Sequence, residues 1–174
     1  MNVLEELKGE NMLLVFFDDP ETYNHSIPAI AKQVSGETVL YLTLNKTAKA
    51  IKEIFEKNKV KTDNFLFIDC ITKSVLSARN TEDCIFVSHP TAFTEISIAI
   101  SKAMKKGYNF FIMDSLTNLL VYENQNTVSK FVSSISTRVK TIDGTGIIYA
   151  MKSAEQDTIV REAKLFADKI VTFK

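Results

Sequence analysis

The sequence predicts an α/β fold in three layers: a mainly parallel β-sheet with helices on both faces. Three observations carry that expectation. Runs such as Met12–Phe17, Phe65–Asp69 and Phe110–Asp114 are apolar at nearly every position. A strand of that kind is covered on both faces, as strands of a parallel sheet are. Stretches with helical spacing of apolar residues fall between the runs. Finally, 174 residues make one ordinary domain, and no repeat or Pro/Gly-rich linker divides them, so residues 1–174 are read as a single domain.

The elements follow in chain order. Residues 12–17 form a first strand, stopped by Asp18, Asp19 and Pro20. A short helix is expected over 27–34, with Ser26 as its cap and Gly36 as its stop. Residues 38–44, rich in β-branched, aromatic and Leu residues, read as a second strand. In 47–58, Ala48, Ile51, Ile54 and Phe55 share one helical face, and Lys49, Lys52, Glu53, Glu56 and Lys57 the other. Those charges, with Lys59 and Lys61, suit a solvated helix and turn. Residues 65–69 are a third strand and 84–87 a fourth, at an edge. The polar segment 72–83 between them has no assigned structure. Phe93, Ile96, Ile100 and Ala103 mark a helix over 91–106, ended by Gly107. A strand over 109–114, a helix over 127–140, a strand over 146–151, a helix near 155–167 and a strand over 169–173 complete the chain. The helix over 127–140 shows little exposed apolar surface, so the sequence points to no interface there.

Composition narrows the function. The 21 basic and 21 acidic residues cancel, which argues against nucleic-acid binding through bulk charge. Two cysteines make no disulfide framework, and Cys70 and Cys84 are expected as buried, reduced thiols. The start has no basic region followed by an apolar run, and no apolar stretch is long enough to span a bilayer. A cytoplasmic protein with no membrane contact is expected. No Ser lies in a Gly-X-Ser-X-Gly elbow. His25 and His89 read as separate surface side chains.

Ligands of an open parallel sheet bind beyond the carboxyl ends of its strands. Three strands end there in acid: Asp18 and Asp19, then Asp69, then Asp114. Together they offer hard oxygen ligands of the kind Mg²⁺ takes, although Asp is also a favoured turn residue. Phosphate binding by a Gly-rich loop needs Gly-Lys followed by Ser or Thr. None of the five glycines precedes a Lys, and residues 18–30 contain no Gly. Asp18, Asp19 and Glu21 in that segment would repel a polyphosphate. Gly144-Thr145-Gly146 precedes a strand, and a turn accounts for it.

Several segments taken in order resemble the RecA-superfamily ATPases of the KaiC, GvpD and archaeal Rad55 type. Phe110-Phe111-Ile112-Met113-Asp114-Ser115-Leu116 is similar to their Walker B strand and the turn after it. Thr94–Ile100 resembles the preceding helix, Val39–Leu44 the second core strand, and Phe166–Val171 the closing strand. The resemblance covers nearly the whole chain. It implies a RecA-like fold, side-by-side assembly with a like copy or a protein partner, and a Walker B role for Asp114 and Ser115, in which the acid orients Mg²⁺ through water. Two other parts of the ATPase pattern are missing. No Walker A loop lies in residues 18–30. The family's catalytic acidic pair falls here on Asn45 and Lys46, which cannot take a proton from water at neutral pH. The resemblance therefore implies a pseudo-ATPase with no catalytic residue, no nucleotide site and no cofactor beyond Mg²⁺ on the acids. Its roles would be regulatory, signalling or scaffolding. With only three Arg among the 21 basic residues, it also suggests an archaeal origin.

A second arrangement resembles a phospho-accepting receiver domain. There Asp18 and Asp19 would hold Mg²⁺, Asp69 would accept the phosphoryl group, and Ser115 and Lys152 would attend it. The residues after Asp69 lack the receiver's Met-Pro turn, and no Pro follows Lys152.

Overall fold

The computed structural model describes residues 1–152 and 161–173. Its strands are β1 (Met12–Phe17), β2 (Val39–Thr43), β3 (Phe65–Asp69), β4 (Cys84–Phe86), β5 (Phe110–Asp114), β6 (Thr145–Met151) and β7 (Lys169–Phe173). Its helices are α1 (Val3–Glu6), α2 (Pro20–Gln33), α3 (Ala48–Lys57), α4 (Phe93–Lys105), α5 (Leu116–Tyr122) and α6 (Gln125–Thr141). The strands form one sheet in the order β4-β3-β2-β5-β6-β1-β7. Every pairing is parallel.

The apolar strands are explained by two cores, one on each side of the sheet. Leu13, Val15, Phe17, Tyr41, Ile112 and Tyr149 pack against α2 and α3. Met12, Leu14, Phe16, Leu42, Met113 and Ile148 pack against α4, α5 and α6. Side chains alternate along a strand, so a strand buried on both faces must be apolar throughout. The short edge strand β4 is covered by its own approach: Thr81 N–H donates to the Cys84 carbonyl, and Phe86 N–H donates to Asn80 Oδ1. Such cover protects an edge from stray pairing.

Several boundaries differ from the sequence expectation. Helix α1 was not expected, and helix α2 begins at Pro20 and not at residue 27, because Asp19 caps it by accepting from Thr22 N–H and Pro20 occupies its first turn. Both features favour a helix start. Pro28 sits inside α2 without ending it. Helix α5 was not expected at all. Residues 72–83 hold a 3₁₀ turn at Thr72–Ser74. The helix expected near 155–167 lies partly outside the described residues, and residues 161–163 are helical.

Gly144 and Gly146 have a closer reason than a turn. A Cβ on Gly144 would stand 2.7 Å from the Asn109 carbonyl oxygen and 3.0 Å from that of Val139. One on Gly146 would stand 3.0 Å from the Phe111 carbonyl oxygen. Both glycines let β6 enter the sheet against neighbouring backbone.

Candidate functional site

Adjacent strands β2 and β5 send the chain to opposite faces of the sheet: α3 follows β2 on one, and α5 and α6 follow β5 on the other. The crevice beyond the carboxyl ends of such a strand pair is where open α/β sheets place ligands. Asp114 ends β5 there, and Asn45 and Lys46 follow β2. The Leu44 N–H donates to the Asp114 carbonyl at 2.6 Å and ties the two strand ends together.

The crevice is filled by the protein's own side chains. Asp114 is fully buried. Its Oδ1 accepts from the Tyr23 hydroxyl at 2.6 Å, and its Oδ2 accepts from the Tyr41 hydroxyl at 2.6 Å. Asn45 Nδ2 donates to the Tyr23 oxygen at 2.7 Å and to Asp114 Oδ1 at 3.3 Å. Lys46 Nζ lies 3.3 Å from the Tyr23 oxygen and 4.6 Å from the centre of its ring. Tyr149 brings a third phenol, buried and without a hydrogen-bond partner among the described residues.

These contacts set the protonation states. Burial pushes the Asp114 carboxyl above its usual range, and the bonds from Tyr23, Tyr41 and Asn45 with the charge of Lys46 pull the other way without cancelling it. Burial and the nearby Asp114 raise Tyr23, Tyr41 and Tyr149 well above an ordinary phenol. All three phenols therefore stay protonated; Tyr23 and Tyr41 act as donors, and none acts as a base. Mg²⁺ bound through carboxylates keeps several of its waters. Around Asp114 that space is occupied by phenol rings, and the carboxylate has no solvent exposure.

The other acids predicted at this edge have separate tasks. Asp69 Oδ1 accepts from the N–H groups of Ile71 and Thr72, each at 2.8 Å. Its Oδ2 accepts from Ala48 N–H at 2.7 Å and from the Thr72 hydroxyl at 2.6 Å. Asp69 thus fastens the start of α3 to the turn after β3. Asp19 caps α2, and its bonds from Thr22 hold its carboxyl below the usual range. Asp18 pairs with Lys152. The Ser115 hydroxyl donates to Asn118 Oδ1 at 2.6 Å. Among the described residues no three His, Cys, Asp or Glu side chains are grouped to hold a metal.

Asp18 and Lys152 are brought together, as the receiver arrangement requires, but Asp69 is not with them. It ends β3, four strand spacings from β1, which is about 19 Å. Receiver-type sheets place the first strand between the second and third, whereas β1 here lies between β6 and β7.

Sequence reasoning missed the three tyrosines. Tyr41 and Tyr149 are the only phenols within strands that are otherwise almost wholly apolar. That was the available signal. Tyr23 carried none, because α2 was not expected to reach it.

A seven-stranded parallel sheet of this order, with helices on both faces, is a RecA/KaiC-like fold. Solved structures that share the fold include two from Pyrococcus horikoshii. The KaiC-like protein PH0186 from Pyrococcus horikoshii OT3 is 11% identical with a TM-score of 0.60, over 93% of this chain and 70% of that one. The uncharacterized protein PH0321 from Pyrococcus horikoshii, in complex with an unknown peptide, is 10% identical with a TM-score of 0.65, over 97% of this chain and 82% of that one. No curated protein matches the sequence. A family profile matches residues 9–173, and the chain belongs to that family, the family of unknown function DUF7504.

Proposed function

We propose that this chain is a RecA-like module that has lost ATPase chemistry and acts as a regulatory, signalling or scaffold subunit through contacts with a protein partner or a like copy. One observation carries the reading: both oxygens of Asp114, the acid at the Walker B position, accept bonds from the chain's own phenols, Tyr23 and Tyr41. Phosphoryl transfer rests on positioning and electrostatic stabilisation of the phosphates. The connection from β1 to α2 is only Asp18 and Asp19, too short to wrap a phosphate chain and negatively charged. Asn45 and Lys46 supply no general base. On this reading the module needs no nucleotide and no metal, makes no use of nucleic acid, and works in the cytoplasm. Among the described residues no helix is long and apolar enough to cross a membrane. The peptide in the PH0321 structure fits a fold of this kind serving as a protein-binding platform.

Calorimetric titration with ATP and ADP, each with and without Mg²⁺, tests the reading. No binding heat is expected from any of the four. Tight binding, or ATP turnover that disappears in Asp114→Ala, would overturn it.

A further inference from the structure

A module that works through a protein partner needs a surface for it, and the inference rests on the proposed function only there. Helices α4 and α6 lie side by side over one face of the sheet, and their outer surfaces form a groove. Two concavities of about 530 and 290 Å³ run into each other along it, sharing Ser101, Lys105 and Arg138. Exposed aliphatic side chains stand at its two ends, Ile98 at 51% exposure and Ile142 at 42%.

The floor between them is made of small hydroxyl residues. Solvent-facing helix positions ordinarily favour long, straight-chain residues, which form helices better than Ser and Thr. These hydroxyls are turned back onto their own helices: Ser101 donates to the Ser97 carbonyl at 2.9 Å, Thr137 to that of Ser133 at 2.9 Å, and Thr141 to that of Thr137 at 2.7 Å. A polar group already bonded within the protein costs little to cover, whereas one stripped of water without a partner is costly to bury. The floor is thus low and internally satisfied, so another backbone can approach it closely.

The charge of the groove has one sign. Helix α6 contains no Asp or Glu, and the single acid of α4, Glu95, is bound to Ser88 away from the groove. Lys102, Lys105 and Arg138 line it, in a chain whose total charge is zero. Arg138 is fixed across the two helices by bonds to the Ser97 carbonyl and the Ser101 hydroxyl. Lys102 and Lys105 make no ion pair among the described residues. Their position at the end of α4 suits its dipole, but the dipole does not account for a neighbouring helix free of acids. Helix α3, by contrast, mixes Lys49, Lys52 and Lys57 with Glu53 and Glu56.

We infer that the α4–α6 groove is a docking site for an acidic amphipathic helix of a partner protein. Its apolar face would lie on the hydroxyl floor between Ile98 and Ile142, and its carboxylates would meet Lys102 and Lys105.

A synthetic amphipathic helix with Leu along one face and Glu along the other serves as the probe, titrated into the full chain by fluorescence anisotropy. A charge-reversed Leu/Lys peptide and a single-stranded oligonucleotide are run beside it. The acidic peptide is expected to bind, to weaken as salt is raised, and to lose about tenfold in affinity or more in Lys102→Glu/Lys105→Glu. Ile98→Glu should weaken it too, and Ile98→Ala repeats that test with a gentler change. The proposal fails if the acidic peptide does not bind, if the variants bind it as well as the parent, or if the basic peptide or the oligonucleotide binds this surface equally. None of these sites touches Asp114, so the nucleotide titration decides the lost chemistry and the peptide titration decides the groove.

Discussion

Asp114 is where the chemistry of single residues is most exposed to test. Its carboxyl is held above the ordinary value of 3.8 by burial, with Tyr23, Tyr41, Lys46 and Asn45 opposing. A group whose folded value is raised contributes fully to stability below its unfolded value and loses that contribution as pH rises through the folded one. Asp114→Asn removes the titration while keeping one acceptor for a phenol. The stability of the parent relative to Asp114→Asn should therefore fall as pH rises above 3.8, by no more than about 1.4 kcal/mol per pH unit for a single proton, and level off past the folded value. Urea unfolding across a pH series measures it. A parent that gains on the variant with rising pH would mean that the phenols stabilise the ionised carboxylate more than burial penalises it. The sequence made Asp114 visible, since an acid after four apolar residues stands out. It did not reveal what faces that acid: Tyr41 lies on a different strand, and only the sheet order brings it alongside.

At the level of elements, what was legible depended on where the physical signal sits. The apolar strands β1, β3 and β5 were found almost to the residue, because burial on both faces leaves no ambiguity of period. Helix α2 was placed seven residues late. Asp18-Asp19-Pro20 reads as a strand stop, but Asp19 and Pro20 also start a helix. Helix α5 is hard to read because it has only seven residues, and Ser115 at its N-cap follows Asp114 directly, so the pair reads as the turn after β5. The tight entry of β6 was read as an ordinary turn, and it leads to a prediction. Both nearest neighbours of a Cβ on Gly144 are backbone oxygens, at 2.7 and 3.0 Å, and backbone within a sheet and at a helix end cannot swing aside. Gly144→Ala should destabilise the fold by about 1–3 kcal/mol, the range for overpacking, as a lowered urea midpoint with an unchanged slope. A midpoint equal to the parent's would show that the turn has room to shift.

For the whole molecule, the question is whether the crevice is merely plugged or has been dismantled. The sheet order is that of a RecA/KaiC-like fold, and on the proposed reading two obstacles to nucleotide chemistry can be separated. One is local, the pair of phenols on Asp114. The other belongs to the chain path, the two-residue passage from β1 into α2. Phosphates are cradled by consecutive backbone N–H groups of a glycine-rich loop. In this chain Thr22 N–H, in the first turn of α2, is already spent on the Asp19 cap. Removing the plug should therefore not be enough. Tyr23→Ala/Tyr41→Phe removes both phenol bonds from the carboxylate and opens space beside Asp114. Titrated with ATP and Mg²⁺, the folded double variant is expected to give no more binding heat than the parent. With Mg²⁺ alone, weak heat that Asp114→Ala abolishes would show that the acid keeps its affinity for a hard cation once water can reach it. Tight ATP binding by the double variant would show instead that the phenols alone had closed a working nucleotide site, and the short β1–α2 passage would no longer count as an obstacle.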